Sequence, residues 1–167
     1  MPDLPIRLAS DADLPGVMRL VEAVIAGMRA QSIEQWDEVY PAADTLSTDI
    51  ADGALRTCAV GDDPVGAIFV IDEHHDPNWR VPWTPVNGPA AVVHRLMVHP
   101  RHQGRGLARA LMEYAEGLAR KRGCRAVHLD AFSQNPQALN LYRRLGYRQV
   151  GTVTLRKGSE LDVKAQI

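Results

Sequence analysis

The sequence predicts an α/β fold built on a mixed sheet, and three observations carry that expectation. Between His94 and Arg122 an apolar run, Leu96-Met97-Val98, gives way to a glycine-bearing turn and then to a long amphipathic segment, which reads as strand, turn and helix. Leu55 to Val60 and Val65 to Ile71 flank Gly61-Asp62-Asp63-Pro64, the pattern of a β-hairpin. Strand-to-helix and strand-to-strand units then mix along the chain, which calls for a sheet with both parallel and antiparallel neighbours. A chain of 167 residues has the size of a single domain, here spanning 1–167, and can bury roughly two thirds of its unfolded surface.

Taken in order, Ile6-Arg7-Leu8 alternates as a first strand, and Ser10-Asp11-Ala12-Asp13 offers helix caps. The helix that follows carries a stripe of Leu14, Val17, Met18, Val21, Val24, Ile25 and Met28, and Pro15 suits its first turn if Asp13 is the cap. Gln31 to Pro41 reads as a second short helix that sets Trp36 and Tyr40 on one side at an i,i+4 spacing. Thr45 to Asp52 has room for another helical turn or two before Gly53. After the hairpin, Asp72 to Pro89 holds four prolines, Trp79, Trp83, His74 and His75, and reads as a flap over the acceptor side. In the helix after the glycine turn, Leu107, Ala108, Leu111, Met112, Ala115, Leu118 and Ala119 share one face, while Arg105, Arg109, Glu113, Glu116 and Arg120 share the wet one. Ala126 to Ala131 is a further strand. Asn135-Pro136 caps and starts a helix through Ala138, Leu141, Tyr142 and Leu145 that Gly146 ends, and Tyr147 to Val153 and Leu161 to Ala165 are strands around a Lys157-Gly158 turn.

The net charge of −1 hides a division. Residues 1–94 hold 5 Lys/Arg against 15 Asp/Glu, a balance of −10, and residues 95–157 hold 13 against 3, a balance of +10. An enzyme that joins a polyanionic cofactor to an amine wants this polarity, because an acidic region draws in cations by long-range attraction. A solvated surface with accidental bias and nucleic acid on the basic part are the competing readings, and the lack of aromatics interleaved with those basic residues counts against the second. No charged leader with an apolar segment opens the chain, and no apolar run approaches the length that spans a bilayer, so a cytoplasmic protein is expected. Cys58 and Cys124 lack any CxxC partner and read as buried spectators.

The turn Gln103-Gly104-Arg105-Gly106 is where chemistry is expected. The first amides of a helix have no internal partners and the helix dipole adds positive potential, while two glycines let a ligand approach the backbone. A phosphate suits this geometry, although an ordinary strand-to-helix turn also uses glycine.

Two motifs together give the chain a resemblance to the GCN5-related N-acetyltransferase (GNAT) superfamily. The first is Leu96-Met97-Val98-His99-Pro100 followed by Arg101-His102-Gln103-Gly104-Arg105-Gly106-Leu107-Ala108, which matches the family's R/Q-x-x-G-x-G/A acetyl-CoA segment. The second is Asn135-x-x-Ala138-x-x-x-Tyr142-x-x-x-Gly146-Tyr147, which matches the block downstream of it. The likeness is firm from about Val92 to Gly151. It implies a mixed, mostly antiparallel sheet of about seven strands with helices on both faces, splayed between the fourth and fifth strands. Acetyl-CoA would be the co-substrate, with its pantetheine arm along Leu96, Met97 and Val98. Its diphosphate would sit on the turn formed by Arg101, Gln103, Gly104, Arg105, Gly106, Leu107, Ala108 and Arg109, and Asn135 and Tyr142 would lie near the sulfur. Dimers are frequent in the family, so a homodimer is among its implications.

The reaction so implied is direct attack of a primary amine on the thioester through a tetrahedral intermediate, which needs a base for the amine and an acid for the departing sulfur. Tyr142 is the expected acid. His94 is the leading base, similar in placement to a histidine of the family's serotonin acetyltransferase branch, with Glu73, His74 and His75 as rivals. Trp36, Tyr40, Glu73 and Trp83 are the expected acceptor-side residues. No metal is expected: His94, His99 and His102 are spaced across a strand and turn with no carboxylate or thiol to join them. Polyamine, amino acid, drug, peptide N-terminus and protein lysine all stay open as acceptors. A regulatory domain that binds acyl-CoA without turning it over is the alternative.

Overall fold

The computed structural model describes residues 4–75, 81–83, 87–154 and 160–166. Two compact units make up the fold: residues 1–71 with 95–108, and residues 72–94 with 109–167. With β1 (Ile6–Leu8), β2 (Leu55–Val60), β3 (Asp63–Asp72), β4 (Ala90–Val98), β5 (Ala126–Phe132), β6 (Arg148–Thr154) and β7 (Glu160–Gln166), the strand order is β1-β2-β3-β4-β5-β7-β6.

In the first unit β1 (Ile6–Leu8) lies antiparallel to β2 (Leu55–Val60), with Ile6 opposite Cys58, and β2 lies antiparallel to β3 (Asp63–Asp72). Val60 faces Asp63, so the hairpin turn is the two-residue Gly61-Asp62 and Asp63 and Pro64 belong to the strand. Gly61 supplies the positive φ of 62° that so tight a turn demands, which is why the connection is shorter than the four residues expected. Helix α1 (Leu14–Arg29) starts after Asp13 with Pro15 in its first turn, and Asp13 Oδ2 accepts from the backbone N–H and the hydroxyl of Ser10 at 2.8 and 3.0 Å. It buries Val17, Leu20, Val21, Val24, Ile25 and Met28, so Leu20 displaces Leu14 and Met18 from the centre of the stripe.

The short helix expected over Gln31 to Pro41 does not form. Ser32 turns the chain at a φ of 60°, and Asp37 Oδ1 accepts from the N–H groups of Val39 and Tyr40 at 2.9 and 3.1 Å, capturing donors a helix would have used. The i,i+4 face for Trp36 and Tyr40 therefore does not exist. Helix α2 (Ala43–Ala51) follows and buries Leu46, Asp49 and Ile50.

Strand β4 (Ala90–Val98) contributes to both units. In the second, it runs parallel to β5 (Ala126–Phe132), with Ala90 opposite Ala126 and Val93 opposite Leu129. Two residues on, Arg95 adopts a left-handed φ of 49°, a torsion that breaks strand geometry for a non-glycine residue. In the first unit the end of β4 is held by the His99 N–H, which donates to Gly66 O at 2.9 Å. Past β5 the second unit is antiparallel: β7 (Glu160–Gln166) pairs with β5 and with β6 (Arg148–Thr154). A Cβ at Gly151 would collide with the Val81 side chain, so β6 carries glycine where residue 81 crosses it.

Helix α3 (Leu107–Lys121) buries Leu111, Met112, Ala115 and Ala119, and α4 (Pro136–Arg144) buries Tyr142. Glu116, expected on the wet face of α3, is half-buried and accepts from the Tyr147 hydroxyl at 3.1 Å. Cys58 and Cys124 are buried free thiols. Among the described residues no helix is long and apolar enough to cross a membrane. The expected Lys157-Gly158 turn, Trp79 and parts of the Asp72 to Pro89 flap lie outside the described residues.

Candidate active site

In the first unit β4 ends at Val98, and Pro100–His102 forms one turn of 3-10 helix before the chain swings through Gln103 to Gly106 into α3. Gly104 and Gly106 have φ of 75° and 79°, and a Cβ added at either would meet no protein atom within 4 Å. Conformation, not crowding by the protein, requires these glycines, and the space beside them is open. With the unpartnered first amides of α3 next to that space, the turn is a fitting cradle for a diphosphate.

The side chains around the cradle are less available than the motif suggests. Gln103 Nε2 donates to Val98 O at 3.0 Å, so this residue closes the end of β4 and occupies a carbonyl of the strand expected to meet the pantetheine arm. Arg101 reaches Asp63 at 3.0 Å and donates from Nε to His102 Nε2 at 3.2 Å. Arg109 pairs with Glu113 at 2.8 Å along its own helix. Arg105 is exposed, Leu96 is half-buried, and Met97 and Val98 are buried.

Tyr40 is exposed and accepts from Arg95 Nη1 at 2.7 Å, and Arg95 Nη2 pairs with Asp49 at 2.7 Å. Burial opposes the charge on Arg95, but Tyr40 and Asp49 outweigh it and hold the guanidinium above its usual value. Trp36 is half-buried.

The second unit holds the expected base and acid, His94 and Tyr142. His94 is the fifth residue of β4, and its Nε2 lies 3.2 Å from Asp72 Oδ1, which also accepts from the His74 N–H at 2.8 Å. Burial works against the Asp72 carboxylate, yet these two hydrogen bonds prevail and its pKa falls below the ordinary value. His75 Nε2 lies 2.6 Å from Nδ1 of the buried His128, and Trp83 stacks flat on the His128 ring at 4.0 Å and 5°. Desolvation, reinforced by His75, pushes His128 down to about 4, so it is neutral at physiological pH. Glu73 and His74 are exposed.

Tyr142 is 7% exposed and meets Tyr147 edge-on at 5.8 Å. Burial, with the charge of Asp130 behind it, lifts its phenol far above the usual range, so the proton stays on at neutral pH. Asn135 caps α4, its Oδ1 accepting from the Ala138 N–H at 3.1 Å.

Each unit thus assembles part of the expected set: Tyr40 and the residues from Leu96 to Ala108 in one, His94, Trp83, Asn135 and Tyr142 in the other. Sequence reasoning passed over Asp72, Arg95 and His128. His128 and Asp130 interrupt the apolar run of β5 at alternate positions, a legible signal of polar groups on one strand face. Nothing comparable marks Arg95, whose torsion has no sequence pattern. Among the described residues no group of three or more His, Cys, Asp or Glu could hold a metal ion.

The family model described as the acetyltransferase (GNAT) family matches residues 21–147. An acetyltransferase of Pectobacterium atrosepticum is 35% identical over 71 residues, 42% of this chain and 50% of that protein, so the match spans about half the length of this relative. A GNAT-family acetyltransferase from Streptococcus agalactiae superposes with a TM-score of 0.83 at 23% identity, covering 99% of this chain and 96% of that one. The PaiA N-acetyltransferase of Thermoplasma acidophilum, solved in complex with coenzyme A, has the same fold at a TM-score of 0.72 and 15% identity, covering 98% of each chain. With the family's model matched from α1 to the residue that precedes β6, this chain belongs to the GNAT acetyltransferase family.

Proposed function

We propose that this chain is an N-acetyltransferase that moves an acetyl group from acetyl-CoA to a primary amine of a small molecule or peptide, with both units serving as one catalytic domain. The observation that carries this reading is the turn before α3, where Gly104 and Gly106 hold left-handed torsions beside open space. The amides from Arg101 to Arg109 would hold the diphosphate, and Leu96, Met97 and Val98 would offer the strand edge to the pantetheine arm. The bound co-substrate supplies an activated acyl group. Everything else falls to the protein's own side chains.

His94 takes the proton from the ammonium form of the acceptor, freeing the nitrogen lone pair. Tyr142, protonated at neutral pH, gives its proton to the departing sulfur and is restored by the proton the nitrogen sheds on acylation. Asn135 stands beside the sulfur, and Trp36, Tyr40, Glu73 and Trp83 face the acceptor. The excess of carboxylates in residues 1–94 favours a cationic acceptor.

The test is an acceptor screen: purified protein, acetyl-CoA and a panel of polyamines, amino acids, aromatic amines and peptides, read by release of the CoA thiol. Amine-dependent release supports the reading. Calorimetric binding of CoA with no release for any amine would replace it with a regulatory acyl-CoA-binding domain, and no heat at millimolar CoA would remove both.

A further inference from the structure

We infer that Asp72 is a positioning residue for His94, fixing its ring so that Nδ1 is the nitrogen that accepts the amine's proton; this rests on the reading of His94 as the base. Asp72 ends β3, and its Oδ1 receives the His74 N–H at 2.8 Å, so the carboxylate is anchored by the backbone just beyond its own strand. The same oxygen lies 3.2 Å from His94 Nε2, and both side chains are largely withdrawn from water, at 17% and 23% exposure. A neutral imidazole carries one hydrogen and one lone pair. Were the lone pair on Nε2, it would face a carboxylate oxygen across that short gap, so the neutral ring holds its hydrogen there and donates it to Asp72. The lone pair is then on Nδ1, for which no partner exists among the described residues and which is not fully enclosed.

The consequence is a defined proton path. An ammonium R–NH3+ transfers one proton to Nδ1 and becomes R–NH2, while His94 becomes an imidazolium whose charge lies against the Asp72 carboxylate. Loss of the Nδ1 proton to solvent restores the starting ring. His75 feels both groups, and burial followed by repulsion from His94 disfavours its own protonation, while the exposed His74 also acts electrostatically on Asp72.

The test combines nitrogen-15 spectroscopy of the histidine rings at mildly alkaline pH with steady-state kinetics. In the wild-type chain the His94 ring, assigned by its loss in His94→Ala, should carry hydrogen on Nε2. Asp72→Asn, whose amide can face either tautomer, should give a mixture and lower kcat roughly 10- to 100-fold with the KM for acetyl-CoA unchanged. A purely structural Asp72 would not move the tautomer. Hydrogen on Nδ1 in the wild-type ring, or an Asp72→Asn enzyme with full kcat, would overturn the proposal. If the wild-type protein acetylated no amine, the role of His94 as a base would fall, while the ring spectrum would still decide its orientation.

Discussion

The Tyr147 hydroxyl donates to Glu116 Oε1 at 3.1 Å, tying the residue just before β6 to the middle of α3. Tyr147 is 4% exposed, and burial, relieved only in part by this bond, lifts the Glu116 carboxyl above its usual value. Tyr147→Phe should cost about 1–3 kcal/mol at neutral pH by leaving a half-buried carboxylate without its donor. Because the folded state holds the Glu116 proton to higher pH than the unfolded chain, this group's contribution falls as pH rises through the interval between the two values. Urea unfolding across that interval should show a shallower decline for Glu116→Gln than for the parent.

Gly104→Ala and Gly106→Ala separate stability from binding. Each places an L side chain at a φ of 75° or 79°, a strain of about 1 kcal/mol, without touching another protein atom. Calorimetric affinity for CoA should fall by roughly tenfold or more, since the new methyl enters the space beside the first amides of α3. An affinity loss no larger than the stability loss would count against a diphosphate there.

Tyr142→Phe removes a phenol and leaves the packing against Tyr147 in place. On the proposed role, kcat should drop by about 10²-fold with CoA affinity retained. Unchanged turnover would return Tyr142 to the core.

Arg7 grips Asp13 through two bonds of 2.7 and 2.8 Å, and this hydrogen bonding holds the carboxyl well below its usual range. A depressed carboxyl stabilises above its unfolded pKa and loses that contribution as pH falls toward the folded one. Arg7 is 54% exposed, so solvent screening limits the effect to about 0.5–1 kcal/mol, expected as the deficit of Asp13→Asn at neutral pH. The deficit should shrink in acid when thermal unfolding is compared.

What the sequence made legible was whatever depends on near neighbours. The hairpin, α3 and α4 follow from periodicity, glycines and the Asn135-Pro136 start, and the cradle follows from Gly104 and Gly106. What escaped depends on partners far along the chain: Arg101 turns to Asp63, Glu116 to Tyr147, and His94 to Asp72. Residues 31–41 failed for the opposite reason, since Asp37 diverts two local amides that composition alone would assign to a helix.

The left-handed residue in β4 is an arginine gripped at both nitrogen tips, by Tyr40 and Asp49. Torsion and tether therefore reside in one position and can be pulled apart by chemistry. Arg95→Gly would preserve the bend at no steric expense while cutting both anchors, whereas Tyr40→Phe and Asp49→Asn would loosen the anchors and leave the bend strained. Together the three variants would reveal whether the strand's interruption is maintained by its own backbone or imposed from outside by the segment that carries Tyr40.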